Sequence, residues 1–360
     1  MKKIGIMTTG GDCSGLNSVI YHIVCGAKKR GWAAYGIVDG TDGLVSTNPN
    51  IVRLDRDVLP QEYAFIAGSF LRNGNVGQNN NFEKAVQTDK VDQFNKLLKK
   101  SLSQTKLDAL ILIGGNGSLS LAWANRGIYS DMQLICIPKT IDMDIPLTDK
   151  TIGFDTAVSQ LTHFCDDLML TARSHHRWFV VQSMGRKCGM LALTAGVAAG
   201  ASAILIPEIK FDVDKLVKHI KHSDTDYGII MVAEGVSLRG HSGEPATMIS
   251  RKLTAAGIAN RTAFPEHIQR AGNTVPSDRI LATKMAAAAL DAIANNETYV
   301  MTASQDNEIK TVGFDDVIRA GRPGRDPNIT GLTISDAMVG DDNPLLVAAD
   351  EMGIYIGEIK

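Results

Sequence analysis

Seven short apolar runs recur along this chain, at residues 4–7, 33–38, 109–113, 134–137, 178–181, 203–206 and 228–233, with glycines punctuating them. Between several of them lie helix-length segments, at residues 16–29, 91–100, 157–171 and 212–222. Strands that alternate with helices predict a parallel sheet covered by helices on both faces, so the expected fold class is α/β.

In such sheets ligands gather outside the carboxyl ends of the strands. The unusual residues of this chain fall there. Gly10-Gly11-Asp12-Cys13-Ser14-Gly15 follows the first run, Gly114-Gly115-Asn116-Gly117-Ser118 follows a later one, and Lys139-Thr140-Ile141-Asp142-Met143-Asp144 follows the next. A glycine loop between strand and helix lets backbone N–H groups approach a phosphate, and the helix N-terminus favours the anion. Neither loop spells the Walker pattern or a dinucleotide fingerprint, and each alone reads equally well as a tight turn. Asp142 and Asp144, two residues apart beside Lys139, suit removal of a proton from a hydroxyl near phosphate, although a lone D-x-D is common in surface loops.

The bulk numbers bound the rest. With 360 residues, 44% hydrophobic and 21% charged, the chain has room for two globular domains or one large one. A net charge of −2 offers no basic stripe, so nucleic acid is not an expected partner. No segment approaches the roughly 18 apolar residues of a membrane span, and residues 4–7 read as a first strand rather than a signal peptide. Cys13, Cys25, Cys136, Cys165 and Cys188 form no C-x-x-C pair, which predicts neither disulfides nor a zinc site and fits a reducing cytoplasm. Residues 69–81, rich in Asn and Gly, read as a long polar loop, either a lid or a plain surface segment.

The second half carries cations: Arg173, His175, His176 and Arg177, then Arg186 within Met184-Gly185-Arg186, then Arg261, His267 and Arg270. The planar guanidinium binds phosphate through two N–H groups, so several arginines with a histidine suit a phosphorylated sugar. Any one of them alone reads as surface solvation or an ion pair between subunits. Glu234, at the end of the run 228–233, is placed to accept hydrogen bonds from a ligand's hydroxyl groups.

Together these pieces resemble the phosphofructokinase family from residue 3 to about 288. The resemblance rests on GGDCSGLN (residues 10–17), GGNGS (114–118), PKTIDMD (138–144), TIGFDTA (151–157), SHHR (174–177), MGRKCG (184–189), the strand end at Glu234 and EHIQRAG (266–272). The chain's length and its closing segment 345–358 look like the longer bacterial branch, in which the donor varies between ATP and pyrophosphate. The resemblance implies two Rossmann-like domains, each a mostly parallel sheet flanked by helices. Residues 1–140 would form a donor-binding domain completed by about 255–300, residues 141–254 a smaller sugar-phosphate domain, and residues 301–360 a C-terminal extension packing on the core.

It further implies phosphorylation of D-fructose 6-phosphate at the 1-hydroxyl, a step of glycolysis. Asp142 would be the general base, supported by Thr140, Asp144 and Arg186, and Arg177, Met184, Gly185, Glu234, Arg261, His267 and Arg270 would bind the sugar phosphate. In the family the residues matching Arg177 and Arg261 come from a neighbouring subunit, which implies a homotetramer with shared sites. Gly11, Gly115, Gly117, Ser118 and Lys139 would hold the donor, and Mg²⁺ would be the cofactor.

Three positions depart from the family pattern. The usual GGDGS, whose Asp holds Mg²⁺, has Asn116 here, and TIDND has become TIDMD with Met143 beside the base. The arginine that contacts the transferring phosphoryl group in ATP users has Arg72 as its only candidate in the 69–81 loop. Donor cues are split. Gly117 matches ATP users, whereas Lys139 and the bulk of Leu121 match pyrophosphate users; ATP is the expected donor and pyrophosphate the alternative. A second alternative, motivated by Asn116 and Met143, is a catalytically weak member that binds sugar phosphate as a regulatory subunit.

Overall fold

The computed structural model describes residues 1–45, 49–74, 91–238, 243–321, 339–340 and 342–358; residues 75–81 of the polar loop lie outside them. The chain divides into two compact units. The first comprises Met1–Thr140, Ile145–Gly153 and Gly272–Ser335, and the second Ile141–Asp144, Phe154–Ala271 and Asp336–Lys360.

The first unit is built on seven strands: β1 (Lys3–Thr8), β2 (Ala33–Ile37), β3 (Ile51–Leu54), β4 (Ala109–Gly114), β5 (Gln133–Pro138), β10 (Val300–Gln305) and β11 (Glu308–Gly313). Their order is β11-β10-β5-β4-β1-β2-β3, parallel throughout except for β3 and β11 at the two edges. Ile4, Ile6, Leu110, Ile111, Ile113, Leu134 and Ile137 are fully buried, as strands covered on both faces require. The helix Leu16–Lys29 forms because Leu16, Val19, Ile20, Ile23, Val24 and Ala27 recur every three or four residues on one buried face. Lys28 and Lys29 in its last turn suit the negative end of the helix dipole.

The second unit holds β6 (Trp178–Ser183), β7 (Ala203–Leu205), β8 (Gly228–Ala233) and β9 (Asn260–Ala263) in the order β7-β8-β6-β9, all parallel. The helix Phe154–Ser174 packs on this sheet and against the 3-10 turn Glu266–Arg270. All seven predicted strands form, within a residue or two of their predicted ends.

Two expectations about segment limits differ from the structure. Residues 255–271 stay with the second unit, whose β9 pairs with β6, and the first unit resumes at Gly272. Residues after 300 are not one extension. β10 pairs with β5 and extends the first sheet, whereas Tyr355 bridges to Ala203 in the second unit. The edge hairpin escapes notice in the sequence because Glu308–Gly313 alternates polar and apolar residues instead of forming an apolar run.

Candidate active site

In the first unit β2 lies on one side of β1 and β4 on the other, so the loops after β1 and β4 open at a point where the sheet changes direction, the usual place for a ligand in this architecture. Both glycine loops stand there. Gly10 and Gly15 have φ of +79° and +96°, left-handed conformations that glycine adopts without strain. The helices that follow, Leu16–Lys29 and Asn116–Ala124, start at Gly15 and Gly115 with no side-chain cap, which leaves first-turn N–H groups for an anion.

The loops converge. A Cβ on Gly10 would stand 3.4 Å from Ser118 Oγ and 3.5 Å from Lys139 Nζ, and one on Gly115 would stand 3.1 Å from the Lys139 carbonyl. Lys139 is 3% exposed and its ammonium donates to the Gly11 carbonyl. The structure therefore brings Gly11, Gly115, Gly117, Ser118 and Lys139 to one place, with Asn116 buried at the start of its helix. The TIGF segment braces this loop from below: Cys13 Sγ donates to the Ile152 carbonyl at 3.4 Å, and Thr151 Oγ1 to the Thr140 carbonyl at 2.8 Å. Arg72 is exposed at φ +57°, its carbonyl accepting from Thr8 Oγ1 at 2.8 Å, while the neighbouring Asn73 Nδ2 donates to the Gly10 carbonyl at 2.9 Å.

In the second unit Ser183 pairs with Ala233, so Met184 and Glu234 leave adjacent strands side by side. Glu234 Oε1 accepts from the Gly185 and Arg186 N–H groups at 3.0 and 2.6 Å, and Gln269 Oε1 accepts from the Met184 N–H at 3.1 Å. Gly235 must lack a side chain, because a Cβ there would fall 2.2 Å from the Arg186 carbonyl. The loop so held presents Arg186 Nε 3.6 Å from Asp142 Oδ2. Asp142 is 5% exposed. Arg186 and Met143 both have left-handed backbones, φ +54° and +58°, at a cost of about 1–3 kcal/mol each for such residues. Strain of this kind beside a carboxylate and its cation is typical of functional sites.

His267 and Arg270 sit on the 3-10 turn after β9, at the same carboxyl edge as Glu234 and Arg186. Arg177 and Arg261 do not. Arg177 precedes Trp178, the first residue of β6, and Arg261 pairs with Phe179, so both occupy the opposite edge of the sheet. Seven residues of extended chain separate Arg177 from Met184, about 23 Å and beyond the reach of an arginine side chain. Sequence reasoning passed over Gln269, although it lies inside EHIQRAG, because a buried glutamine that binds backbone leaves no spacing signal.

Among the described residues no three His, Cys, Asp or Glu side chains gather into a metal cluster. The side chain of buried Asn116, an amide oxygen carrier, stands instead at the uncapped start of its helix. That fits Mg²⁺, which commonly binds through substrate phosphates and water with one or two protein ligands.

Comparison with known proteins agrees with this geometry. The phosphofructokinase family profile matches residues 3–293. Over 378 aligned positions the chain is 35% identical to an ATP-dependent 6-phosphofructokinase 1 of Nostoc sp., covering 99% of each. It is 36% identical to a pyrophosphate–fructose 6-phosphate 1-phosphotransferase of Amycolatopsis mediterranei, covering 86% of this chain and 92% of that protein. Among solved structures, phosphofructokinase from Saccharomyces cerevisiae superposes with a TM-score of 0.77 at 26% identity over 88% of this chain, which spans 45% of the yeast chain. Two uncapped glycine loops at the switch point of one unit, an Asp–Arg pair with strained backbone in the other and likeness along nearly the whole length lead to one conclusion: the chain belongs to the phosphofructokinase family.

Proposed function

We propose that this protein transfers a phosphoryl group from ATP to the 1-hydroxyl of D-fructose 6-phosphate, giving fructose 1,6-bisphosphate in glycolysis. The observation that carries the reading is the Asp142–Arg186 pair, a buried carboxylate beside the guanidinium of a residue whose backbone N–H is held by Glu234. The sugar's 6-phosphate binds Arg270 and His267, and its hydroxyl groups meet the loop from Met184 to Arg186 and Glu234. Asp142 takes the proton of the 1-hydroxyl as that oxygen bonds to the γ-phosphorus, and the bond from phosphorus to the β,γ-bridging oxygen breaks to release ADP. Thr140 and Asp144 flank the base on its own loop.

The first unit binds the donor through Gly11, Gly115, Gly117 and Ser118, whose N–H groups neutralise developing charge on the phosphate oxygens. Asn116 would hold Mg²⁺, which would supply further charge neutralisation at those phosphates. Catalysis is then chiefly positioning and electrostatics. Because Arg177 and Arg261 lie on the far edge of their own sheet, they serve the site of another copy, and a homotetramer supplies complete sites. No helix among the described residues is long and apolar enough to cross a membrane, and the free cysteines fit a cytoplasmic setting.

Pyrophosphate as donor is the second reading, favoured by Lys139, whose ammonium points into the donor loop at the Gly11 carbonyl. A coupled assay on purified protein with fructose 6-phosphate and each donor in turn decides between them. Efficient turnover with ATP supports the first reading, efficient turnover with pyrophosphate alone supports the second, and sugar binding without turnover by either removes both.

A further inference from the structure

The loop that presents Arg186 is pinned at both ends by carboxylates. Glu234 holds Gly185 and Arg186, whereas the Gly189 N–H at the other end donates to Glu208 Oε1 at 2.8 Å. Glu208 follows β7 by three residues and has no part in the transfer described above. Its other oxygen, Oε2, is buried, the carboxylate lies within hydrogen-bonding reach of the Cys188 thiol, and a Cβ on Gly189 would lie 2.6 Å from Oε2. Gly189 also opens the helix Met190–Ala198, where a carboxylate meets the positive end of the dipole. Glu208 therefore fixes the start of this helix and the residue before it.

That residue is Cys188. It is 2% exposed, and its thiol reaches the Met143 carbonyl at 3.9 Å, a long S–H hydrogen bond. Burial, then the neighbouring Glu208, Asp144 and Asp142 carboxylates, push its pKa up to about 12, so it stays a neutral donor. The bond lands on the one peptide beside Asp142 that is strained: Met143 stands at φ +58°, where asparagine would be far more at ease. Nothing in the side chain of methionine favours that conformation locally, so tertiary contacts must hold it.

We propose that Glu208 and Cys188 are positioning residues that clamp the Met143 peptide in its left-handed conformation and thereby set Asp142 against Arg186 and the attacking hydroxyl. The inference rests on the function proposed above for what it says of catalysis, and on local geometry for the clamp itself. Its test compares Glu208→Ala, Glu208→Gln, Cys188→Ala and the double variant Glu208→Ala with Met143→Asn, each measured for kcat, KM for fructose 6-phosphate, thermal unfolding and amide hydrogen exchange in residues 141–145.

Glu208→Ala and Cys188→Ala are expected to lower kcat roughly tenfold with KM changed less than about twofold, as misplacement of a base does. Exchange in 141–145 should quicken. Glu208→Gln keeps an acceptor for Gly189 and should retain most of kcat. Met143→Asn, at home in the left-handed region, should recover kcat in the Glu208→Ala background without raising the melting temperature to match. Unchanged kcat and exchange in Cys188→Ala overturn the clamp, as does a loss that follows melting temperature and ignores Met143→Asn. Should Glu208→Ala fail to fold, kcat and exchange in Cys188→Ala decide the question by themselves. If the wild type turns over neither donor, the functional reading fails, while the clamp still stands or falls on exchange.

Discussion

Arg186 Nε lies 3.6 Å from Asp142 Oδ2, an exposed guanidinium joined to a buried carboxylate with side chains 66% and 8% exposed. An ion pair with one partner in water adds only about 0–1 kcal/mol to stability, and in the proposed function the pair serves the transfer step. Asp142→Asn should lower kcat by about 10²- to 10⁴-fold with KM for the sugar little altered. Arg186→Ala should lower kcat with the melting temperature nearly unchanged, and Arg186→Lys should restore little because an ammonium lacks the planar fork. Steady-state kinetics with calorimetry on the three variants checks this; full turnover in Asp142→Asn would remove the base from the mechanism.

In the proposed function Lys139 and Asn116 face the donor. Lys139 is 3% exposed with its ammonium engaged at the Gly11 carbonyl, so in the proposed site a compact donor would meet a concentrated charge there while a nucleotide would have to share that space. Lys139→Gly should abolish any pyrophosphate-driven turnover and leave most of the ATP-driven rate. Asn116→Asp restores a negative ligand and should lower the Mg²⁺ concentration needed for half-maximal rate severalfold. Donor and metal titrations of both variants read these effects directly, and a pyrophosphate rate that survives Lys139→Gly counts against the lysine's role.

The sheet and the donor loops were legible because their causes are local. Apolar runs mark buried parallel strands, and glycines mark sharp turns into helices. Asp142 was legible only through its motif. Gln269, Cys188 and Glu208 were not, because each acts on backbone atoms of a segment distant in sequence, and a hydrogen bond to a peptide N–H or carbonyl imposes no spacing pattern. β9 was missed for a related reason: Asn260-Arg261-Thr262-Ala263 is polar, and its strand character comes from pairing with β6. The separation of Arg177 from Glu234 depends on strand direction in three dimensions, which motif order does not convey.

Thiol chemistry checks the burial of the cysteines. Alkylation consumes the thiolate, and burial pushes Cys165 and Cys188 up to about 12 and Cys136 well above its ordinary value. A raised pKa keeps the thiol protonated at pH 8, so all three should be silent in the native protein. Cys13, 1% exposed and bonded to the Ile152 carbonyl, should be silent as well. Cys25, only partly buried beside Arg56, should label first. Mass spectrometry after brief alkylation, native and then denatured, gives the order; early modification of Cys188 would contradict its neutral, buried state.

The placement of Arg177 makes the sharpest prediction about assembly. About 23 Å of strand lies between it and the loop at Met184, so in the proposed function Arg177 serves the sugar phosphate of another copy rather than its own. Arg177→Ala and Asp142→Asn should each be nearly inactive alone. In a hybrid oligomer, however, the Arg177→Ala subunit contributes an intact Asp142, and its Asp142→Asn neighbour contributes an intact Arg177. One wild-type site then re-forms from two defective chains. Co-expression with two distinguishable tags, tandem purification and assay should therefore recover a fraction of wild-type activity that neither parent shows. If Arg177 worked within its own subunit, every site in the hybrid would carry one defect and no activity would return.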